Sequence, residues 1–328
     1  MLATDLQEES EQIFQSEPVV VSVVVPSYNH ASFIETTLRS IMKQTFWPAE
    51  LLVIDDGSSD ESPRVIERVL NDCPFPCELV ARDNRGLCAT LNEGFDRSRG
   101  EYFAYLGSDD LWLPDFLKAR VSLLESRRDA VLAYGHAYFI DEQNRIIDST
   151  ADWASYADGD ARAMLLQTTA PMSPTVLYRR AAFKQQRWNE HSQLEDYDLY
   201  LRLSAEGEFA FDPRILSAWR RHGSNVSWDQ TLMLEEQLRA LREAALRFGL
   251  TDEQVADLQR TTRFRRAEDF LRVGEKSKAL GLMVNNWRGA KCPFVTARML
   301  LRLLIPNSFM RGRARIRQRN AHKRYGTL

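Results

Sequence analysis

The stretch VVVSVVVPSYNH, residues 19–30, decides the fold. Residues 19–25 are a run of valines broken once by Ser22 and stopped by Pro26. A strand without polar alternation is buried on both faces, as in parallel sheets. LLVID at 51–55 repeats the pattern and ends just before Gly57. Between the two, SFIETTLRSIMKQT reads as a helix with Ser32 as candidate cap and apolar positions Phe33, Ile34, Leu38, Ile41 and Met42. SPRVIERVLND then gives a second helix, CELVARD a third strand, LCATLNEGFDRS a third helix and EYFAYLG a fourth strand. This alternation predicts an α/β fold: a Rossmann-like, mostly parallel sheet flanked by helices.

Polar residues gather where each strand ends: PSYNH, DDGSSD, DNRG and GSDD. In open α/β sheets ligands bind at the carboxyl ends of the strands, so the four endings predict one continuous site. No GxGxxG follows a strand and no GxxxxGK[ST] occurs, which argues against a dehydrogenase or a P-loop enzyme. Asp109 and Asp110 stand side by side after the fourth strand. Adjacent carboxylates repel unless water, a cap or a cation relieves them.

Beyond residue 131 the pattern loosens. VLAYGHAYFIDEQNRIID reads as two strands around a turn, and MSPTVLYRRAAF as a strand and a short helix. EDYDLYLRL has a helical period that turns Leu199, Leu201 and Leu203 partly inward, FAFDPRILSAWRRHGSNVS is extended, and the chain is helical from Trp228. Its 328 residues, 44% hydrophobic and 27% charged, suit one large α/β domain with an appendage. Three parts follow: an acidic tail over 1–18, a sheet domain over 19–228 and a helical basic region over 229–328.

The first ~17 residues lack the basic and apolar stretches of a secretory signal, and no apolar run approaches the ~18 residues of a spanning helix. The expected location is cytoplasmic. Cys73 and Cys77 have no second Cys or His pair nearby to complete a zinc site, and all four cysteines read as reduced, inert thiols. The formal net charge of −3 hides an asymmetry: residues 1–228 carry 36 acids against 22 Lys and Arg, whereas 229–328 carry 10 against 21. No Asp or Glu follows Glu275, while 13 Lys and Arg occupy the last 53 residues. Such segregation points to an anionic partner for the C-terminal segment.

Six blocks in order, VSVVVPSYNH, LLVIDDGSSD, NRGLCATLNEGF, GEYFAYLGSDDLWLPDFL, EDYDLYLRL and WRRHGSNVS, resemble the family 2 glycosyltransferases. These are inverting, nucleotide-sugar-dependent enzymes with the A-type glycosyltransferase fold, and the resemblance covers roughly residues 19–228. It implies that Pro26 and Tyr28 frame the nucleobase, that Asp56 accepts the imide N–H of uracil or thymine, and that Arg85 sits near the base or the phosphates. An aromatic face stacks on a planar base, and a carboxylate separates bases with an N–H from cytosine. GSDD resembles the family's D-x-D signature, with Gly107 where many relatives have the first aspartate. The resemblance gives Asp109 and Asp110 the ribose and metal contacts, without saying which acid does which. Mg²⁺ or Mn²⁺ suits such hard oxygen ligands. Asp110 has an alternative, as a helix cap near Pro114.

EDYD resembles the block that carries the catalytic base, which places that role on Asp196, with Glu195 binding acceptor or raising the basicity of Asp196. Asp198 reads instead as an acid at a solvated helix start. His222 is a candidate metal ligand by resemblance, or a structural histidine, and Arg220 and Arg221 either meet the diphosphate or are solvated.

In FVTARMLLRLLIPNSFMRGRARIRQRNAHKR, apolar positions and arginines alternate at helical spacing, and seven Lys and Arg follow from Arg311 to Arg324. This predicts either an amphipathic, polybasic segment over 276–328 lying on the anionic inner face of a membrane, or a helix packed on the sheet domain. Nucleic acid is not expected, since no binding-fold motif is present. The expected activity is a metal-dependent, inverting transfer from a UDP- or dTDP-sugar to a glycan or lipid-linked glycan, in surface polysaccharide assembly. Two alternatives differ in what they need. A sugar-1-phosphate nucleotidyltransferase requires a glycine-rich loop after the first strand, where PSYNH stands, and a noncatalytic binding or scaffold protein has no use for both GSDD and EDYD.

Overall fold

The computed structural model describes residues 21–223 and 229–328. The tail over 1–18, and the part of WRRHGSNVS from Ser224 onward, lie outside the described residues.

β1 (Val21–Ser27) runs parallel to β2 (Glu50–Asp55) on one side and to β4 (Tyr102–Tyr105) on the other, and β3 (Cys77–Ala81) adds in parallel beyond β2. The connections are α1 (Ile34–Met42), α2 (Ser62–Leu70) and α3 (Leu87–Arg97). Val21, Val23 and Val25 enter the core beneath α1 and α2, Val24 points to the other face beneath α3, and all four are fully buried. Each such valine contributes about 1.5–3 kcal/mol by leaving water, which is why the run carries no polar alternation. Ser32 does not cap α1. The carbonyl of His30 accepts the N–H groups of Phe33 and Ile34 at 2.9 Å each, so a backbone turn opens the helix instead.

The second half is mixed. In chain order come β5 (Leu111–Trp112), α4 (Phe116–Ser126), β6 (Ala130–Ile140), β7 (Ile146–Ser149), α5 (Arg162–Leu166), β8 (Leu177–Arg179), α6 (Glu195–Leu203) and β9 (Glu208–Arg220). The strand order is β3-β2-β1-β4-β8-β6-β9-β5, with β7 on β6. β8 is antiparallel to both β4 and β6, while the long β6 and β9 pair in parallel. The expected parallel pairing thus holds from β3 to β4, and from β8 onward the sheet is mixed.

Arg120 of α4 is fully buried beneath this second half. Its Nη1 donates to Asp212 Oδ2 of β9 at 2.7 Å and its Nε to the Thr175 carbonyl at 3.0 Å.

Five helices follow: α7 (Gln230–Arg247), α8 (Asp252–Val273), α9 (Lys276–Asn285), α10 (Pro293–Leu304) and α11 (Asn307–Tyr325). Thr251 and Gln254 form a reciprocal capping box at the start of α8, and Gly274, at φ +91°, closes it. Phe264, Ala267, Phe270 and Leu271 of α8 bury Ala279 and Met283 of α9 and Met299 of α10 in a small core of their own. Past α11 the chain returns to the sheet, where Ile146 N–H donates to the Gly326 carbonyl at 3.0 Å and Leu328 N–H to that of Asn144 at 3.1 Å. The packing alternative for 276–328 is therefore realised on one side of the segment. Among the described residues, no helix is long and apolar enough to cross a membrane.

Replacing Asp212 by alanine would leave the Arg120 guanidinium charged and without its carboxylate in the core. Loss of one partner of a buried pair costs about 3–5 kcal/mol, so the D212A urea midpoint is expected to fall by that equivalent at pH 7. A shift below ~1 kcal/mol would show that the pair contributes little.

Candidate active site

The first cluster lies at the ends of β1 and β2. Asp56 N–H donates to the Ser27 carbonyl at 2.8 Å, which sets Asp56 beside Tyr28, a ring that is 50% exposed. Pro26 is buried inside β1, paired with Ile54. Asn29, at φ 54°, accepts from Ser59 N–H at 2.8 Å while its own N–H donates to Ser58 Oγ at 2.8 Å, and Asp60 Oδ2 accepts from Ala31 N–H at 3.0 Å. SYNH and GSSD are thereby tied into one rim, with Ser58 and Asp60 in the turn-forming roles their residue types favour. Gly57, at φ +78°, could not carry a side chain, because a Cβ there would stand 2.8 Å from Asn84 N.

Asp56 is buried, and its carboxylate organises the loop after β3. Arg85 N–H donates to Oδ1 at 2.9 Å, Gly86 N–H donates to Oδ2 at 2.8 Å, and the Arg82 guanidinium pairs with Oδ1. Arg82 also donates to Thr90 Oγ1 at 2.7 Å and lies 2.9 Å from Glu93. The Arg85 side chain, in contrast, is exposed, 3.6 Å from Glu93. The arginine on Asp56 is thus Arg82, which the sequence reading passed over; Arg85 meets Asp56 through its backbone.

The second cluster follows β4. Asp110 is buried, and its Oδ1 accepts from Arg220 N–H at 2.9 Å. Burial, and then the charge of Asp109, raise its pKa well above the usual carboxylate range. Asp110 caps no helix, since α4 begins only at Phe116. Asp109 turns the other way, with its Oδ2 2.8 Å from His222 Nε2 and its Oδ1 4.0 Å from His30 Nδ1. His30, Asp109 and His222 bring one ligand atom each within 4.8 Å of one another, a set that fits a divalent cation. Burial lowers the His30 pKa, with Asp109 opposing, which favours the neutral imidazole that a metal needs. Asp109 and His222 are thus brought together and Asp110 is directed to the backbone, while His30, inside the PSYNH block, is an addition. The two carboxylates occupy the space over Gly107: a Cβ there would lie 2.9 Å from Asp109 Oδ1 and 3.1 Å from Asp110 Oδ2.

Arg220 is buried rather than solvated. Its Nε donates to the Asp109 carbonyl at 2.7 Å, and Nη1 donates to the Asp141 carbonyl at 2.8 Å and to Asn144 Oδ1 at 2.6 Å. Arg221 stacks over Phe139, 4.3 Å from its centroid.

The third cluster opens α6. Glu195 and Asp196 are partly buried, and Tyr105 at the end of β4 donates to Glu195 Oε1 at 3.4 Å. Burial, then the charge of Asp196, push Glu195 up to about 8. Burial likewise pushes Asp196 up to about 6, against the hydrogen bond from Tyr197 N–H at 2.7 Å. The neighbouring carboxyls titrate as a pair, in two steps. Asp198 is not solvated as its place at a helix start implied: it is buried and paired with Arg202 at 2.8 Å. Leu199, Leu201 and Leu203 all face the core. The four cysteines are free, and burial raises the Cys88 thiol to about 12.

The structure thus joins a parallel half-sheet, an acid after β4 beside histidines that follow β1 and β9, and a raised carboxyl pair on α6. The family model for glycosyl transferase family 2 matches residues 22–187, and the chain belongs to that family, a family of glycosyltransferases. An uncharacterized glycosyltransferase of Nostoc sp. is 29% identical over 49% of this chain and 51% of its own length. Chondroitin synthase of Escherichia coli is 28% identical over 70% of this chain. The chain spans about half of the first and 33% of the second. Among solved structures, S. aureus TarS in complex with UDP-GlcNAc aligns with a TM-score of 0.59 at 16% identity, covering 93% of this chain and 91% of that one. The mannosyltransferase PcManGT of Pyrobaculum calidifontis, in complex with GDP-Man and Mn²⁺, aligns at 0.57 and 16% identity over 93% and 86% of the two chains. Both show the A-type fold.

The raised carboxyl pair makes a stability prediction. The folded Glu195 holds its proton more tightly than the unfolded chain does, so stability is lost as pH rises from the ordinary carboxylate range through about 8. Glu195→Gln removes the charge that burial penalises. E195Q is expected to melt close to the parent at pH 4.5 and to be more stable at pH 8.5, by about 1 kcal/mol or more. Equal stability at both values would show that Glu195 is not held protonated.

Proposed function

We propose that this chain moves a sugar from a UDP- or dTDP-linked donor to an acceptor hydroxyl with inversion, in surface polysaccharide assembly in the cytoplasm or at its boundary. The observation that carries the reading is that β4 links two carboxylate centres: Tyr105 at its end reaches Glu195, and Asp109 follows four residues later beside His222 and His30. One centre suits the diphosphate and the other the acceptor.

In this reading the nucleobase lies on Tyr28 and its imide N–H meets the buried Asp56, which Arg82 and two backbone amides hold in place. Asp196 takes the proton of the acceptor hydroxyl as that oxygen attacks the anomeric carbon. The bond from that carbon to the donor's phosphate oxygen breaks, and the nucleoside diphosphate departs with the electron pair. Glu195, protonated up to about pH 8, positions the acceptor, while burial keeps Asp196 basic. A Mn²⁺ or Mg²⁺ ion held by His30, Asp109 and His222 would supply positive charge for the leaving diphosphate. A polysaccharide product accords with the polymer-forming relatives named chondroitin synthase and hyaluronan synthase. A noncatalytic reading leaves the raised carboxyl pair without a purpose, since an acid held in an unfavourable environment is a mark of proton transfer.

Incubated with a panel of nucleotide sugars and Mn²⁺ or Mg²⁺, the protein is expected to release UDP or dTDP slowly even without acceptor. No release, together with no calorimetric binding of UDP or dTDP, would overturn the assignment. Asp196→Asn is expected to lower turnover ~10²-fold or more while keeping UDP affinity. The parent's turnover should rise with pH through about 6, because burial delays the loss of the Asp196 proton.

Removing the cation with a chelator is expected to stop nucleotide release and adding Mn²⁺ to restore it. In calorimetry, His222→Ala should weaken Mn²⁺ binding beyond the ~10-fold typical of losing an outer-shell partner. An unchanged Mn²⁺ affinity would remove His222 from the ligand set.

A further inference from the structure

We propose that α9, α10 and the start of α11 form a docking surface for an anionic lipid bilayer. The segment has two unlike sides. Inward, Ala279, Met283 and Met299 fill the small core against α8. Outward, Val284, Trp287, Phe294, Leu301, Leu304 and Phe309 are each more than half exposed, Phe294 at 74% and Leu304 at 81%. A surface helix of a globular domain ordinarily turns only its polar face to water; here the outer face is apolar as well.

The ends of these helices are tied to one another. Lys276 at the start of α9 donates to the carbonyls of Leu303 at 2.9 Å and Ile305 at 2.5 Å, which ties the start of α9 to the end of α10. Asn307 Nδ2 donates to the Gly274 carbonyl at 3.2 Å, which fixes the start of α11 at the end of α8.

Charge names the occupant. From Lys276 to Leu328 there is no Asp or Glu. Arg298 and Arg302 are drawn back onto Glu268 of α8, at 2.9 and 2.5 Å, and Arg317 and Arg324 onto Asp148 and Asp152 at 3.3 and 3.1 Å. Arg311, Arg313 and Arg315 of α11 are exposed and have no ion pair among the described residues. Exposed aliphatic and aromatic side chains on the same segment as arginines without an acid partner match the boundary between acyl chains and anionic headgroups. Nucleic acid fits less well, because Val284, Leu301 and Leu304 offer no face for a base and the chain carries no nucleic-acid-binding motif. No residue of the three site clusters takes part, so failure of this inference would leave the transferase reading untouched.

The test is flotation of the full chain with vesicles of neutral phosphatidylcholine, alone or mixed with phosphatidylglycerol. Binding is expected only to the anionic vesicles, and weaker at 0.5 M salt than at 0.05 M, as screening requires. Arg313→Gln and Arg315→Gln should each lower the partition coefficient about fivefold, and Leu304→Ser by about tenfold. Because these side chains are exposed, circular dichroism and nucleotide release should match the parent. Absence of binding to anionic vesicles at low salt would overturn the proposal. So would binding that all three variants retain. A dimer that Leu304→Ser dissociates, in a chain that ignores vesicles, would assign the surface to a second copy instead.

Discussion

Two neighbouring carboxylates at the end of a buried strand impose the central constraint, and Arg220 resolves it. Its backbone N–H meets Asp110 while its side chain holds the Asp109 carbonyl and the turn at Asp141 and Asn144. A guanidinium so buried is tolerable only with its donors committed, and acids so close only where something divides them. Arg220 does both, binding the end of β9 to the end of β4. Asp110 is thereby directed inward and Asp109 outward, toward two histidines, His30 and His222, far apart in the chain.

The same division occurs on α6. Glu195 and Asp196 are adjacent and share an apolar setting lined by Tyr105, yet their pKa values separate, with Glu195 higher. Two like groups given different proton affinities can perform different tasks in one step. The stability lost by keeping these acids out of water is offset elsewhere, in the valine core of β1 and the Arg120–Asp212 pair beneath the second half of the sheet. A site that strains its local electrostatics requires such a frame.

The C-terminal helices follow a different logic. Their inner side and final residues are built into the fold, while their outer side keeps apolar groups and unpaired arginines in water. Packing and exposure, which read as rivals in the sequence, occur together in one segment. The acids Glu268, Asp148 and Asp152 set the division, because each draws arginines inward and leaves the others free.

The sequence alone determined what depends on neighbours along the chain. Valine runs broken by Pro26 and Gly57 gave the parallel half-sheet, six ordered blocks gave the family, and GSDD and EDYD marked where the acids lie. Contacts across the sheet had no such local signal. That Arg82 and not the Arg85 side chain meets Asp56, that Asp198 is buried on Arg202, that Asp110 faces a backbone N–H, and that β8 runs antiparallel all depend on partners distant in sequence. His30 illustrates the limit: its block was recognised, but its place beside Asp109 and His222 exists only once β1, β4 and β9 end at one edge. Hydrophobic pattern fixes elements because burial acts on each strand by itself; the roles of polar side chains are fixed by which of them the folded sheet brings within a few ångströms.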